Sequence, residues 1–222
     1  MELIKKENNS LEFNSQKDYL QILIDSKVIK TKSLEEAFTI QQYGKELGLS
    51  TMTAFNYIYN YKGTLTLYVK AIRGLLLKSG LVTWRTLQDA MYLYSDGSFK
   101  NTSKTTITVV KDGVSTEQED KAIDRQTIIE FTRTFPNGNT IIDYGTFEFS
   151  TASKAGLIKS DSAWANYPRN MLYARAFSYG ADRVASDLTL GFYSLDEMSD
   201  VAKTKEEYIT RNEDSEIVSI DI

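Results

Sequence analysis

The chain has 222 residues, 41% of them hydrophobic, which is enough for one large domain or two small ones with a real core. It contains neither cysteine nor histidine, and this excludes disulfides, thiolate nucleophiles, structural zinc fingers and a histidine general base. The formal net charge is −4, yet residues 196–222 hold three Lys/Arg and nine Asp/Glu, so the preceding chain is faintly basic at +2. A faintly basic body binds phosphates where its cations cluster.

Two further classes of protein are excluded by patterns that the sequence lacks. No apolar run approaches about 18 residues, and no basic-plus-apolar signal begins the chain, so we expect a cytoplasmic protein without a membrane span or secretory peptide. Gly44-Lys45 is followed by Glu46, and no G-x-G-x-x-G occurs. The sequence therefore predicts no P-loop and no ATP-driven activity that depends on one.

The N-terminal part is predicted to be helical after a polar start. Residues 1–17 are polar and predicted to be flexible, and a short helix is expected over 18–26. Ser33 and Glu36 have the spacing of a capping box, which begins a helix that Gly48 ends. Ser50 can cap a further short turn. The predicted domains are this N-terminus, an 18–199 core and a flexible acidic tail over 200–222.

Four aromatic rings alternate with other residues at strand spacing in the next segment, at Phe55, Tyr57, Tyr59 and Tyr61. Such a stripe forms core or a subunit interface, or alternatively a surface on which bases stack. Lys62-Gly63 then marks a turn, and a helix is predicted from Thr66 to Ser79, with Gly80 as its end.

The middle of the chain has β character. Strands are predicted over 84–94 and 105–110, whereas 114–124 is predicted to be an insertion or a loose loop. The clearest hairpin joins 126–135 to 140–149 through a Pro-Asn-Gly-Asn turn. Arg133 shares a strand face with apolar residues, so it is either a groove cation or an inward ion-pair partner.

Short helices are predicted on either side of a long one. One runs over 151–155, with Lys154 near its end, and another from Ser194 to Met198. Pro168 suits the first turn of the long helix, which reaches about Ala185.

The two sides of this long helix differ. Small residues at helical spacing predict a side that lies close against a sheet or another helix: Ala174, Ser178, Ala181 and Ala185. A second stripe has cationic ends and is interpreted as a working surface: Arg169, Leu172, Ala176, Tyr179 and Arg183.

Two blocks of residues carry a resemblance to a known family. The first comprises Trp164, Tyr167-Pro168-Arg169, Met171-Leu172, Ala174-Arg175-Ala176, Gly180-Ala181, Gly191-Phe192-Tyr193 and Asp196-Glu197. The second runs from Tyr43-Gly44-Lys45-Glu46-Leu47-Gly48-Leu49 through Tyr61-Lys62-Gly63 to Leu75 and Gly80. In this order, over most of residues 38–198, they resemble the RecT and phage lambda Red beta single-strand annealing proteins.

The resemblance implies an α+β fold in which a small antiparallel β-sheet of hairpins packs against a long helix, with additional N-terminal helices. It implies rings or helical filaments that bind single-stranded DNA and anneal it without ATP in phage-type recombination. The gene would be carried by a phage or prophage of a bacterial host. Implied partners are single-stranded DNA, annealed duplex, further copies of the chain, and a phage exonuclease or host single-strand-binding protein.

The resemblance also points to DNA-binding residues. Arg169 and Arg175 match basic positions of the family's helix motif. Further candidates are Lys62, Arg133, Lys154 and Arg183. The family usually has Ala-Arg where this chain has Ala181-Asp182, so Arg183 is displaced by about 100° around a helix.

Trp164 has two interpretations, a packing anchor or a stacking platform, and packing is the more common role of so large a side chain. No cofactor is expected, and Mg²⁺ would serve only as a non-catalytic aid to DNA binding.

Two other functions are compatible with the sequence. A magnesium-dependent nuclease could use Asp143, Glu148, Asp182 or Asp187. Asp143 and Glu148, however, are an odd number of residues apart on one predicted strand, so they would face opposite sides of the sheet. The other is a structural or adaptor protein that binds no DNA.

Overall fold

The computed structural model describes residues 2–31, 33–61, 63–111, 114–192 and 194, with the backbone alone for 2–13 and 114. The helices are α1 (Glu2–Asp25), α2 (Leu34–Glu46), α3 (Thr51–Tyr57), α4 (Val69–Ser79), α5 (Phe149–Lys154), α6 (Ala163–Asn166) and α7 (Pro168–Ala185). The strands are β1 (Ile58–Tyr61), β2 (Thr64–Leu67), β3 (Val82–Leu93), β4 (Phe99–Lys100), β5 (Lys104–Lys111), β6 (Val114–Lys121), β7 (Asp124–Thr134) and β8 (Thr140–Glu148). Helices and antiparallel sheets are thus mixed, as an α+β chain requires.

A four-stranded antiparallel sheet with the order β4-β3-β7-β8 lies at the centre, and α7 packs on one of its faces. That face carries alternate residues of each strand, because successive side chains of a strand point to opposite sides. Phe131 of β7 packs edge-on against Phe177 of α7, with ring centroids 5.1 Å apart. Trp84 of β3 lies 5.1 Å from the same Phe177 ring. The main core therefore forms between the sheet and α7.

The predicted hairpin is confirmed as β7 and β8. Its register runs from Gln126 opposite Glu148 to Thr134 opposite Thr140. In the turn, Gly138 has a φ of 83°, which glycine adopts without strain, and the Asn137 side chain accepts a hydrogen bond from the Asn139 N–H at 3.0 Å.

Helix α7 approaches β8 so closely that two backbones touch. A Cβ added to Gly145 of β8 would overlap the carbonyl oxygen of Ala176 and stand 2.7 Å from the Gly180 nitrogen. A Cβ added to Gly180 would overlap the ring of Phe131. The predicted small-residue face is thus confirmed for Ser178, Ala181 and Ala185, which are buried, but the closest approach is made by two glycines.

The N-terminal helices form a second, smaller cluster, in which α1 and α2 bury Leu20, Leu23, Ile29 and Ala37. Ser33 caps α2 by accepting a hydrogen bond from the Glu36 N–H at 3.1 Å, as predicted. The Glu36 carboxylate accepts from the Thr31 hydroxyl, so one half of the predicted capping box is present.

Three predicted boundaries differ near the N-terminus. Helix α1 begins at Glu2, ahead of the predicted short helix, because the first 25 residues contain no glycine or proline to break it. Phe55 and Tyr57 belong to α3, which Ser50 caps, so the predicted four-ring strand face does not form. Helix α4 begins at Val69, since Thr66 pairs with Tyr59 in a hairpin.

The predicted loose loop over 114–124 is wrong, because β6 pairs with the whole of β5 in a charged hairpin. Lys104 and Glu119 form a diagonal ion pair across it, with 3.1 Å between Nζ and Oε1. The predicted helix from Ser194 to Met198 and the acidic tail lie outside the described residues, apart from Ser194 itself, which bridges to Leu67.

We predict that Gly180→Ala destabilises the protein by roughly 1–3 kcal/mol, because the added methyl overpacks the contact with Phe131. Helix propensity alone predicts the opposite sign, a gain of about 1 kcal/mol. The matched control is Gly74→Ala in the exposed middle of α4, where an added Cβ meets no described atom within 4 Å. Urea unfolding should show a loss for the first variant and a gain for the second. Equal gains would contradict the close approach.

Candidate nucleic-acid interface

Helix α7 carries two exposed arginines on one side. Arg169 lies in its first turn and Arg183 in its last, and their 14-residue separation places them about 40° apart around the axis and roughly 21 Å apart along it. Their side chains are 65% and 60% exposed. Both guanidinium groups can therefore be reached by a ligand that lies along the helix.

Arg169 is paired with an acid from the sheet. Its Nε donates to the Oδ2 atom of Asp89 in β3 at 3.0 Å, and Nη2 donates to the same oxygen. The hydrogen bonds and the charge of Asp89 raise the pKa of Arg169 above its usual range. The other carboxylate oxygen, Oδ1, is buried and has no hydrogen-bond partner among the described residues. Asp89, Arg169, Asn170 and Tyr173 line a shallow depression at this end of α7.

Arg183 has a looser partner. Its Nη1 lies 3.3 Å from Oδ1 of Asp143 in β8, at the edge of the sheet. Pairs of exposed charges contribute only about 0–1 kcal/mol each, and salt screens them. A phosphate can therefore compete with either acid for its arginine.

Arg175 does not reach the surface. It is 1% exposed, and its guanidinium carbon lies 5.7 Å from the centroid of the Phe147 ring. Six helical residues separate it from Arg169, which turns it about 120° toward the sheet. The expectation that Arg175 contacts DNA is therefore corrected: in this chain its side chain belongs to the core.

Arg133 is the inward ion-pair partner of the two predicted alternatives. Its side chain is 11% exposed, and Nη2 donates to Oδ2 of Asp187 at 2.7 Å. Nη1 donates to the carbonyl oxygen of Val184 at 2.8 Å. Hydrogen bonding to Arg133 holds the pKa of Asp187 below its usual range. Arg133 thus ties the end of α7 to β7 and is not a groove cation.

The three remaining candidate DNA-binding residues are Trp164, Lys154 and Lys62. Trp164 is buried 5.7 Å from the Phe147 ring, which confirms the packing interpretation and removes it as a stacking platform. Lys154 is exposed in the last turn of α5. Lys62 lies outside the described residues.

The predicted working stripe is interrupted. Leu172 and Ala176 are buried against the sheet, so only Arg169, Tyr179 and Arg183 of that stripe remain exposed. Tyr179 packs edge-on against Phe147 at 5.5 Å. The exposed cations of the stripe therefore lie at the two ends of α7 rather than in a continuous row.

Sequence reasoning missed the acids that meet these arginines. Asp89 is presented where the β3–β7 register shifts between Gln88 and Met91 and Ala90 adopts a φ of 53°. The Thr127 hydroxyl accepts from the Ala90 N–H at 2.9 Å and fixes this bulge. The bulge depends on a partner 37 residues away, so no local pattern indicates it.

The carboxylates of the alternative nuclease do not converge. Asp143 faces Arg183 and Asp187 faces Arg133. Within the described ranges no three acidic side chains are grouped so that they could hold a metal ion. Among the same residues, no helix has the length and apolar character needed to cross a membrane.

Comparison with models of known protein families, with characterised proteins and with solved structures finds no match to this chain.

The Arg133–Asp187 pair gives a pH prediction. A carboxylate whose folded pKa is depressed stabilises the fold above its ordinary value of 3.8 and loses that effect as the pH falls through the folded pKa. We expect Asp187→Asn to lower the free energy of unfolding by roughly 1–2 kcal/mol at pH 7, because it leaves the largely buried guanidinium of Arg133 without its acid. Urea unfolding at pH 7 and at about pH 3 measures the difference in free energy of unfolding between the parent protein and this variant, and that difference should be smaller at the lower pH.

Asp143→Asn is the matched control, because the side chain of its partner Arg183 is 60% exposed, whereas that of Arg133 is 11% exposed. Asp143→Asn should change the free energy of unfolding by no more than about 0.5 kcal/mol at both pH values. An equally large loss of stability in Asp187→Asn at low pH would contradict the assigned ion pair.

Proposed function

We propose that this chain binds single-stranded DNA and anneals complementary strands without nucleotide hydrolysis, as a ring or helical oligomer in phage-type recombination. The observation that carries the proposal is the sequence motif from Trp164 to Glu197, which begins in α6 and includes α7. The RecT and Red beta resemblance of this motif implies the activity, and the exposed arginines at both ends of the helix support it.

Annealing makes no covalent bond, so the protein has to position a strand rather than transform it. Contacts to phosphates hold a strand without regard to sequence and leave the base edges free to test a partner. Two exposed arginines whose backbone positions lie roughly 21 Å apart along the helix axis suit an extended backbone better than a compact ligand.

Arg169 is the stronger candidate for a direct phosphate contact. It lies in the first turn of α7, where unpaired backbone N–H groups and the helix dipole favour an anion. In the free protein Asp89 occupies its guanidinium. Binding therefore exchanges a carboxylate for a phosphate, which predicts modest affinity and a strong dependence on salt.

The proposed partners follow from this activity. They are single-stranded DNA, the annealed duplex, other copies of the chain, and a phage exonuclease or host single-strand-binding protein. The reaction takes place in the cytoplasm of a bacterial host, and Mg²⁺ has no catalytic role in it.

Replacing Arg169 tests the proposal. Arg169→Ala should weaken binding of a long single-stranded oligonucleotide and reduce the slope of log affinity against log salt by about 0.7, the value of one phosphate contact. Asp89→Asn should strengthen binding at low salt because it frees the guanidinium. Fluorescence anisotropy over a salt series measures both effects.

Arg85 and Glu130 provide a matched control pair. They form a similar ion pair with an N–O distance of 2.7 Å, on the sheet face opposite α7, since Arg85 follows the inward Trp84. Arg85→Ala and Glu130→Gln should leave affinity and salt slope unchanged. Equal effects of both pairs would mean that binding follows net charge, and an inert Arg169→Ala would place the interface elsewhere.

A further inference from the structure

A pocket separate from α7 lies where the N-terminal helices meet β1. It encloses about 320 Å³, at the lower end of the range of roughly 300–1,000 Å³ that small-molecule sites span. Its floor is apolar and buried, formed by Ile29, Ile40 and Ile58. A ligand there would lose contact with water on one side.

Aromatic side chains form one wall of this pocket. Tyr59 of β1 and Tyr68, which precedes α4, are 40% and 37% exposed. Their ring centroids lie 6.3 Å apart with planes inclined by 54°. Burying such rings is favourable, and their faces stack well on flat heterocycles.

Polar groups stand at the rim. The Asn56 amide and the Lys30 ammonium line the pocket and have no hydrogen bond or ion pair among the residues described. Asn60 accepts the Gly63 N–H at 3.0 Å through Oδ1, which leaves its NH₂ group for a ligand. The rim therefore offers both donors and an acceptor.

The only carboxylate in the described lining belongs to Glu36, which is already hydrogen-bonded to Thr31. A divalent cation needs more oxygen ligands of this kind. One lysine near one glutamate gives little net charge, so a bare phosphate has weak attraction here. An aliphatic chain would leave the amides of Asn56 and Asn60 without hydrogen-bond partners, which disfavours it as the ligand.

We infer that this pocket binds a nucleobase. A base has two apolar faces for Tyr59, Tyr68 and the isoleucine floor, and a hydrogen-bonding edge for Asn56 and Asn60. This inference rests on the proposed function, in which the ligand is an unstacked base of the bound single strand. A base held there is withheld from pairing and anchors the strand while its neighbours remain free to test a partner. A free nucleotide also carries a nucleobase and is the alternative ligand for the pocket.

Photocrosslinking of the full chain locates the base. The probes are an oligothymidylate with one 5-iododeoxyuridine and, separately, free 5-iododeoxyuridine monophosphate, and mass spectrometry maps the products. Crosslinks are expected at Tyr59 or Tyr68, and not at Tyr19 or Tyr144, which are also exposed. Asn56→Trp, at an exposed position, should block the pocket and reduce these crosslinks at least about fivefold, the lower limit for losing one stacked base.

Asn101→Trp, at another exposed position outside the pocket, is the matched control and should change nothing. Circular dichroism confirms that both variants are folded. Oligonucleotide binding with crosslinks only outside the pocket overturns this inference and leaves the proposed function standing. Pocket crosslinks from the free monophosphate without oligonucleotide binding support a nucleotide site and contradict the proposed function. Absence of binding by both probes contradicts both.

Discussion

The contact between the backbones of β8 and α7 sets the geometry of the core between the sheet and the helix. Because neither Gly145 nor Gly180 has a side chain, the helix can lie directly on the strand, and Phe131 fills the space beside them. This close approach fixes the height of α7 above the sheet. At one end it brings Arg169 to Asp89, and at the other it brings Asp187 to Arg133. A helix held farther away could make neither ion pair.

Each exposed arginine of α7 already faces an acid, and this shapes the proposed interface. In the proposed interface, the phosphates of a strand compete with Asp89 and Asp143 for the guanidinium groups. That exchange lowers affinity and lets salt compete. Reversible binding suits annealing, in which a strand held too firmly could not adjust its register against a partner. The faintly basic charge of the chain before residue 196 agrees with modest affinity.

The sequence was most informative where local chemistry decides the structure. Pro168 and the lack of a strong breaker before Gly180, which a helix tolerates, predicted α7, and the Pro-Asn-Gly-Asn turn predicted the β7–β8 hairpin. Tertiary contacts decided the rest. Arg175 and Arg169 have the same chemistry, yet one is buried and the other exposed, because the predicted small-residue side does not show how far around the helix the buried surface extends. Likewise, Asp89 reaches Arg169 through a bulge that depends on distant Thr127.

The most direct test of the account is the rate at which two complementary oligonucleotides anneal, followed by fluorescence energy transfer without nucleotide and with EDTA. The chain should accelerate annealing under these conditions. The double variant Arg169→Ala/Arg183→Ala should lose most of the acceleration, because it lacks both exposed guanidinium groups of α7. An unchanged rate in the double variant, or a strict requirement for ATP, would contradict the account.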